Sequence, residues 1–448
     1  MDCTRFDAFR RDVYACCTRA AAALFDLSDA VLTDPSARSL IEFSQAACFQ
    51  RRWPSLYAAL HDGRIDHAAL RRTFVAYLPP IPAARRLLLG LDTSSIRRPE
   101  AHTSSERTLV YWPNLPRDAT PVVPGWSFSA LVVLPQPVSS WTYILDHQRV
   151  ASSESAVSVG AEQLTAVLPL LSARPLLLLD RHYSQDPWLL ATADLALDQL
   201  IRARSDQVLY RAPPPPTGKR GAPRKDGARF KGSDPTTQGL PDDVWRGNDV
   251  AGKAVTVRCW SGLHRRKARQ VPITAIQIVR EQAPNTKREP REAWFWWLGG
   301  ELPPLVEVAT FYPHRFGQEH GYRFDKQELL WARPQVRTPE QMQRWTDVVA
   351  VVHNELVLGR SLVEAERRPW EARSREATPQ QVRRAMGRII THLGTPSPAP
   401  QVRGKAPGRA SGALVKRAER YAVVRKTPPK AKAAQKRSAA GSALVRRC

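Results

Sequence analysis

Two stretches decide how this chain reads: LLLGLDTSSI, residues 87–96, and LLLLDRHYS, residues 176–184. Each opens with a short apolar run. Such a run is too brief for an amphipathic helix and does not alternate, which suits a strand buried on both faces. Each run ends in a solitary aspartate, Asp92 and Asp180. In open α/β sheets, ligands gather beyond the carboxyl ends of the strands, so two neighbouring strands of this kind would bring the aspartates together.

Outward from these runs, Trp126 to Leu134 and Trp141 to Leu145 read as two further strands, separated by a turn at Pro135–Pro137. Glu154 to Leu171 has helical periodicity, and Asp186-Pro187 is a helix start whose helix would reach about Arg204. Three strands followed by helix, strand and helix imply an α/β fold with a mixed sheet. Residues 1–80 read as a helical N-terminal domain: Phe6, Phe9, Val13, Tyr14 and Cys17 recur at helical spacing, Leu40 to Phe49 begin another helix, and Asp66 caps a third. Residues 81–365 form the central domain, with a β-rich insertion at about 205–300. Its last run holds Trp294, Trp296 and Trp297. Packed aromatics are ordinarily core, but an exposed tryptophan near DNA can stack on a displaced base. Residues 366–400 read as a helical extension and linker.

The chain has 448 residues, with 67 Lys+Arg against 42 Asp+Glu, a net charge of +25. That excess calls for an acidic partner, nucleic acid first. From 401 to 448 there are 14 cations and one acid, Glu419, in a stretch rich in Ala, Pro, Gly and Ser. Such a composition buries too little surface to offset its ordering entropy and reads as a disordered basic tail suited to phosphate contact. No apolar run is long enough to cross a membrane and no signal peptide opens the chain, so a cytoplasmic protein is expected. The six cysteines form no CxxC pair, which disfavours zinc and disulfides.

A third carboxylate comes with its own pattern. Tyr312, Arg315, Glu319 and Lys326 fall within an arc of about 60° if they share one helix. One face would then present a metal-binding carboxylate beside two cations and a phenol suited to phosphates. Three carboxylates can hold Mg²⁺, which favours hard oxygen ligands. Two such ions can activate an attacking oxygen and stabilise a leaving one.

These segments, with YPHRFGQEHGYRFDK at 312–326, resemble the DDE-class insertion-sequence transposases that carry a Tyr-Arg-Glu-Lys signature. His182 stands where that group often has a small residue. The resemblance implies an RNase H-like core across roughly 85–365 that binds two Mg²⁺ (or Mn²⁺) ions through Asp92, Asp180 and Glu319. Tyr312, Arg315 and Lys326 would hold phosphate, and Trp294, Trp296 or Trp297 would stack on a flipped base. It further implies double-stranded DNA partners (terminal inverted repeats and target), a homodimer in a synaptic complex, DNA end binding by the N-terminal helices, and a nucleoid-associated location. Two rivals stand beside it. One is a domesticated or inactive transposase that binds DNA without cutting. The other is a carboxylate-pair glycosidase, disfavoured by the charge and by the cations around Glu319.

Overall fold

The computed structural model describes residues 3–112, 121–215, 222–249, 252–280, 292–372, 374–401, 408, 410–414 and 417–426. The N-terminal layer has four helices, α1 (Thr4–Cys16), α2 (Ala21–Thr33), α3 (Pro54–Asp62) and α4 (His67–Ala76), with a small hairpin of β1 (Cys17–Arg19) and β2 (Arg64–Ile65). Asp66 caps α4 by accepting the Ala69 N–H. The helix expected from Leu40 is only a 3₁₀ turn, Ile41–Gln45.

The chain then enters one large sheet. Its first strands are β3 (Leu88–Arg97), β4 (Thr108–Tyr111), β5 (Val122–Val133) and β6 (Tyr143–Val150), followed by α5 (Ala156–Val167), β7 (Leu176–Leu179), α6 (Asp186–Ala191) and β8 (Asp198–Ala203). The helix expected to reach Arg204 therefore stops at Ala191. Residues 198–203 instead form a strand, because pairing on both sides and near-complete burial outweigh local helical preference. Around β3 the order is β6-β5-β3-β7-β8. β5 and β6 run antiparallel to their neighbours, whereas β3, β7 and β8 are mutually parallel. This mixed sheet flanked by helices is consistent with an RNase H-like fold.

The β-rich insertion comprises β9 (Val208–Tyr210), β10 (Arg229–Lys231), β11 (Asp243–Asn248), β12 (Ala254–Arg265), β13 (Ala268–Arg280) and β14 (Glu292–Leu298). It continues the same sheet: β14 pairs with β8, β13 with β14, and β12 with β13, giving 12 strands. After it come α7 (Leu305–Phe311), α8 (Phe316–Gln327), α9 (Pro339–Gly359) and α10 (Pro379–Leu393).

Helix α9 ties the layers together. Asn354 bonds both backbone groups of Ile144 in β6, at 2.8 Å each. On another face, Glu355 meets Arg10 of α1 at 2.8 Å, and the same guanidinium holds Asp29 of α2. Arg383 of α10 donates to the Val31 carbonyl that closes α2. The N-terminal helices are thus packed onto the C-terminal ones. Among the described residues no helix is long and apolar enough to cross a membrane.

Candidate active site

The pairing of β3 with β7 sets the aspartates. Leu88, Leu89 and Gly90 face Leu176, Leu177 and Leu178 in parallel register, and these leucines are at most 1% exposed. Carried two residues further, that register puts Asp92 level with Asp180 and on the same side of the sheet. Asp180 ends β7 and accepts the His182 N–H at 2.8 Å, capping a 3₁₀ turn at Arg181–Tyr183. Asp92 does not end its strand as expected. β3 continues to Arg97 because β5 pairs with it along that whole length.

The glutamate arrives from across the sheet. Tyr312–Arg315 is a 3₁₀ turn and α8 begins at Phe316, so the four signature residues do not share one helix. Pro313, which lacks a backbone N–H, lies in the turn rather than opening a helix. Helix α8 is seated by Gln318, whose amide donates to the Ala130 carbonyl of β5 at 2.9 Å. Gly90 leaves room for that side chain, since a β-carbon there would stand 2.7 Å from Oε1 of Gln318. Tyr322, one turn on, donates its hydroxyl to the Asp92 carbonyl at 2.7 Å. Arg315 then joins the two halves: Nη2 lies 2.7 Å from Oδ2 of Asp92, and Nη1 lies 3.2 Å from Oε1 of Glu319.

Burial pushes the Asp92 carboxyl up to about 6. Arg315 opposes the shift, while Asp180 and Glu319 add to it through like charge. Burial also lowers Lys326, whose ammonium donates to the Ser95 carbonyl at 3.1 Å and lies over the Trp331 ring, with Asp92 among the charges that hold it up. Tyr312 is raised by burial. Its ring packs on Phe295 at 4.8 Å and under the Arg202 guanidinium at 5.9 Å.

In kind, the donor set suits a divalent ion: three carboxylates whose hard oxygens match Mg²⁺ or Mn²⁺. In position, no group of three or more His, Cys, Asp or Glu is gathered closely enough to hold one among the described residues. The Arg315 guanidinium is the cation that Asp92 and Glu319 share.

The tryptophans go elsewhere. Trp294, Trp296 and Trp297 are 3–5% exposed, because β14 is paired on both edges and covered on both faces. Trp294 stacks on Trp260 at 5.5 Å, Arg265 covers Trp296 and Arg86 covers Trp297. As placed, none offers a free ring to a base, and the structure makes them core. The cations Arg265, Arg266, Lys267 and Arg269, at the turn between β12 and β13, are partly neutralised, Arg265 by Asp186 and Arg266 and Arg269 by Asp226. Two residues at the site escaped the sequence reading. Tyr322 carried no spacing signal. Arg202 would have stood level with Asp180 had 198–203 been read as a strand.

A family model described as DDE superfamily endonuclease matches residues 12–266, more than half of the chain. The chain belongs to that family. The match takes in both aspartates of this DDE superfamily endonuclease and ends before Glu319, which rests on geometry. No curated protein matches the chain. Membership of the family implies a DNA substrate and a nuclease or transposase type of activity, and enzymes of this superfamily generally use divalent metal ions.

Proposed function

We propose that this DDE endonuclease is the transposase of an insertion sequence, which cuts the element ends and joins the freed 3′-hydroxyl to target DNA. One observation carries the reading: the register of β3 with β7 brings Asp92 and Asp180 to corresponding positions on adjacent parallel strands, and Arg315 bonds both Asp92 and Glu319. Asp92, Asp180 and Glu319 would hold the Mg²⁺ or Mn²⁺ ions. When bound, such ions activate an attacking oxygen and stabilise the leaving one.

The chain's own residues do the rest. Arg315 keeps two like-charged carboxylates together before substrate arrives. Its guanidinium fork, which bonds both carboxylates here, would also suit a phosphate oxygen pair. Tyr312 and Lys326 are side chains of a kind that suits adjacent phosphates, and we assign them that part. Tyr322 and Gln318 hold β3 and α8 in place. Two protomers would bring the two element ends together.

The test uses labelled duplexes made from the DNA that flanks the gene, with Mg²⁺. Wild-type protein should nick at the element boundary and join that end to a second duplex. Binding of the ends with no cutting in either metal would instead favour a DNA-binding relative that has lost catalysis.

A further inference from the structure

Two basic stretches that lie apart in the sequence meet in the fold. Residues 222–231 carry Arg224, Lys225, Arg229 and Lys231 with one acid, Asp226. The tip of the β12–β13 hairpin carries Arg265, Arg266, Lys267 and Arg269 with none. Asp226 joins the two. Its carboxylate is 13% exposed and takes the Arg269 fork at 2.7 and 2.9 Å, with Arg266 Nε at 3.3 Å and His264 Nε2 at 3.2 Å.

Strand pairing completes the cluster. β10 runs antiparallel to β9 with Arg229 opposite Tyr210, and β12 pairs with β9 where His264 meets Tyr210. Cross-strand partners share a face, so Arg229 and Tyr210 are neighbours with their β-carbons about 5 Å apart. The Arg266 guanidinium lies over the same tyrosine ring at 4.7 Å.

One carboxylate shared by two guanidiniums and a histidine leaves most of the charge unopposed. Arg224, Lys225, Arg229, Arg266 and Lys267 are all exposed. Among the described residues, no carboxylate pairs with Arg224, Lys225, Arg229 or Lys267. Gathering like charges on one surface raises a positive potential that an anion relieves. Cations spread over two strands and a hairpin tip match the repeating phosphates of a duplex, which are held without reading bases.

Arg265 fixes where the cluster stands. Its Nε bonds Asp186, the first residue of α6, at 2.8 Å, and its Nη1 bonds the Val208 carbonyl at 3.1 Å. Asp186 follows Asp180 by six residues, which span at most about 20 Å. With one arginine side chain added, the hairpin tip lies within roughly 30 Å of Asp180, less than one turn of duplex at about 34 Å.

We propose that this cluster, ordered by Asp226, grips the backbone phosphates of the DNA duplex within one helical turn of the cut. The inference rests on the DNA reading above and names a second surface that the DNA meets.

The test uses the full chain and a 30-bp duplex of arbitrary sequence without metal. Lys225→Gln, Arg229→Gln and Lys267→Gln together should lower the slope of log affinity against log salt by about two to three, near 0.9 for each contact. Lys225→Arg, Arg229→Lys and Lys267→Arg together keep the charge and should hold the wild-type slope, which separates lost phosphate contact from lost fold. On a duplex that ends at the element boundary, a photocrosslinker at residue 229 should mark the backbone within about ten base pairs of that boundary. An unchanged slope in the glutamine variant, an equal loss of slope in the charge-keeping variant, or crosslinks only farther along the duplex overturns the proposal. The salt slopes need no cleavage, so an absence of cutting would count against the transposase reading and leave this surface to be judged by binding alone.

Discussion

Arg315 at the carboxyl end of the sheet and Arg10 in the helical layer each stand between two carboxylates. Arg10 spans Asp29 and Glu355 at 2.8 Å, and all three side chains are at most 2% exposed. Arg315 spans Asp92 at 2.7 Å and Glu319 at 3.2 Å, but Asp92 is 20% exposed and Glu319 is 51% exposed. The chemistry is the same and the burial is not. Charges sealed from water cannot exchange partners without a large penalty, so the Arg10 cluster is a clamp. Charges open on one side can trade an arginine for another cation, so the Arg315 cluster can be a site.

The largest effect expected from that contrast is on chemistry. Glu319→Ala should cut the rate of DNA cleavage by about a thousandfold, or about 4 kcal/mol, while a urea titration shows less than about 1 kcal/mol of lost stability. Arg10→Ala should do the reverse. It leaves Asp29 and Glu355 buried and uncompensated, which should cost about 3–5 kcal/mol of folding stability. If Arg10→Ala melts with the wild type, the clamp half of the comparison is wrong.

Arg315→Ala sharpens the open half. One charge-assisted contact to phosphate contributes about 1.5–3 kcal/mol, so cleavage should fall by about ten- to a hundredfold, with stability changed by about 1 kcal/mol. A variant that cuts DNA at the wild-type rate would leave Arg315 with a purely structural part.

The smallest effect is a pH dependence at the clamp. Burial pushes the Glu355 carboxyl up to about 7, Arg10 opposes the shift and Asp29 adds to it. The folded value lies above the unfolded one of about 4.3, so the folded chain holds a proton that the unfolded chain releases. This group's contribution is full below about pH 4 and is lost as pH rises to about 7. In Glu355→Gln that loss disappears, and Tm should fall less between pH 5 and 7 than in the wild type, by about a few degrees. Parallel Tm curves would show that Glu355 does not titrate there.

The two halves differ in how far the sequence foretells them. The strand runs leading to Asp92 and Asp180 were legible because an apolar run is a local signal, whereas the single helix expected for Tyr312 to Lys326 is interrupted by the 3₁₀ turn at Tyr312–Arg315. The partners of Asp92 and Glu355 were not legible, because Arg315 reaches Asp92 across 223 residues and Arg10 reaches Glu355 across 345. β8 was misread for the same reason: DQLIRA has no alternation of its own, and its pairing with β7 and β14 makes it a strand. The four-aromatic run of β14 is apolar on both faces, and that already marks a central strand rather than a surface for bases. Composition misjudged residues 417–426, whose backbone is held by an edge strand and a buried arginine that no composition count contains.

The central claim is that Asp92, Asp180 and Glu319 act as one unit. Cleavage of a labelled element end in Mg²⁺ should be compared for Asp92→Ala, Asp180→Ala, Glu319→Ala and the triple variant. Residues that work as a unit are non-additive, so each single variant should lose nearly as much rate as the triple. A single variant that stays within about tenfold of wild type, while the triple loses about a thousandfold, would contradict the account.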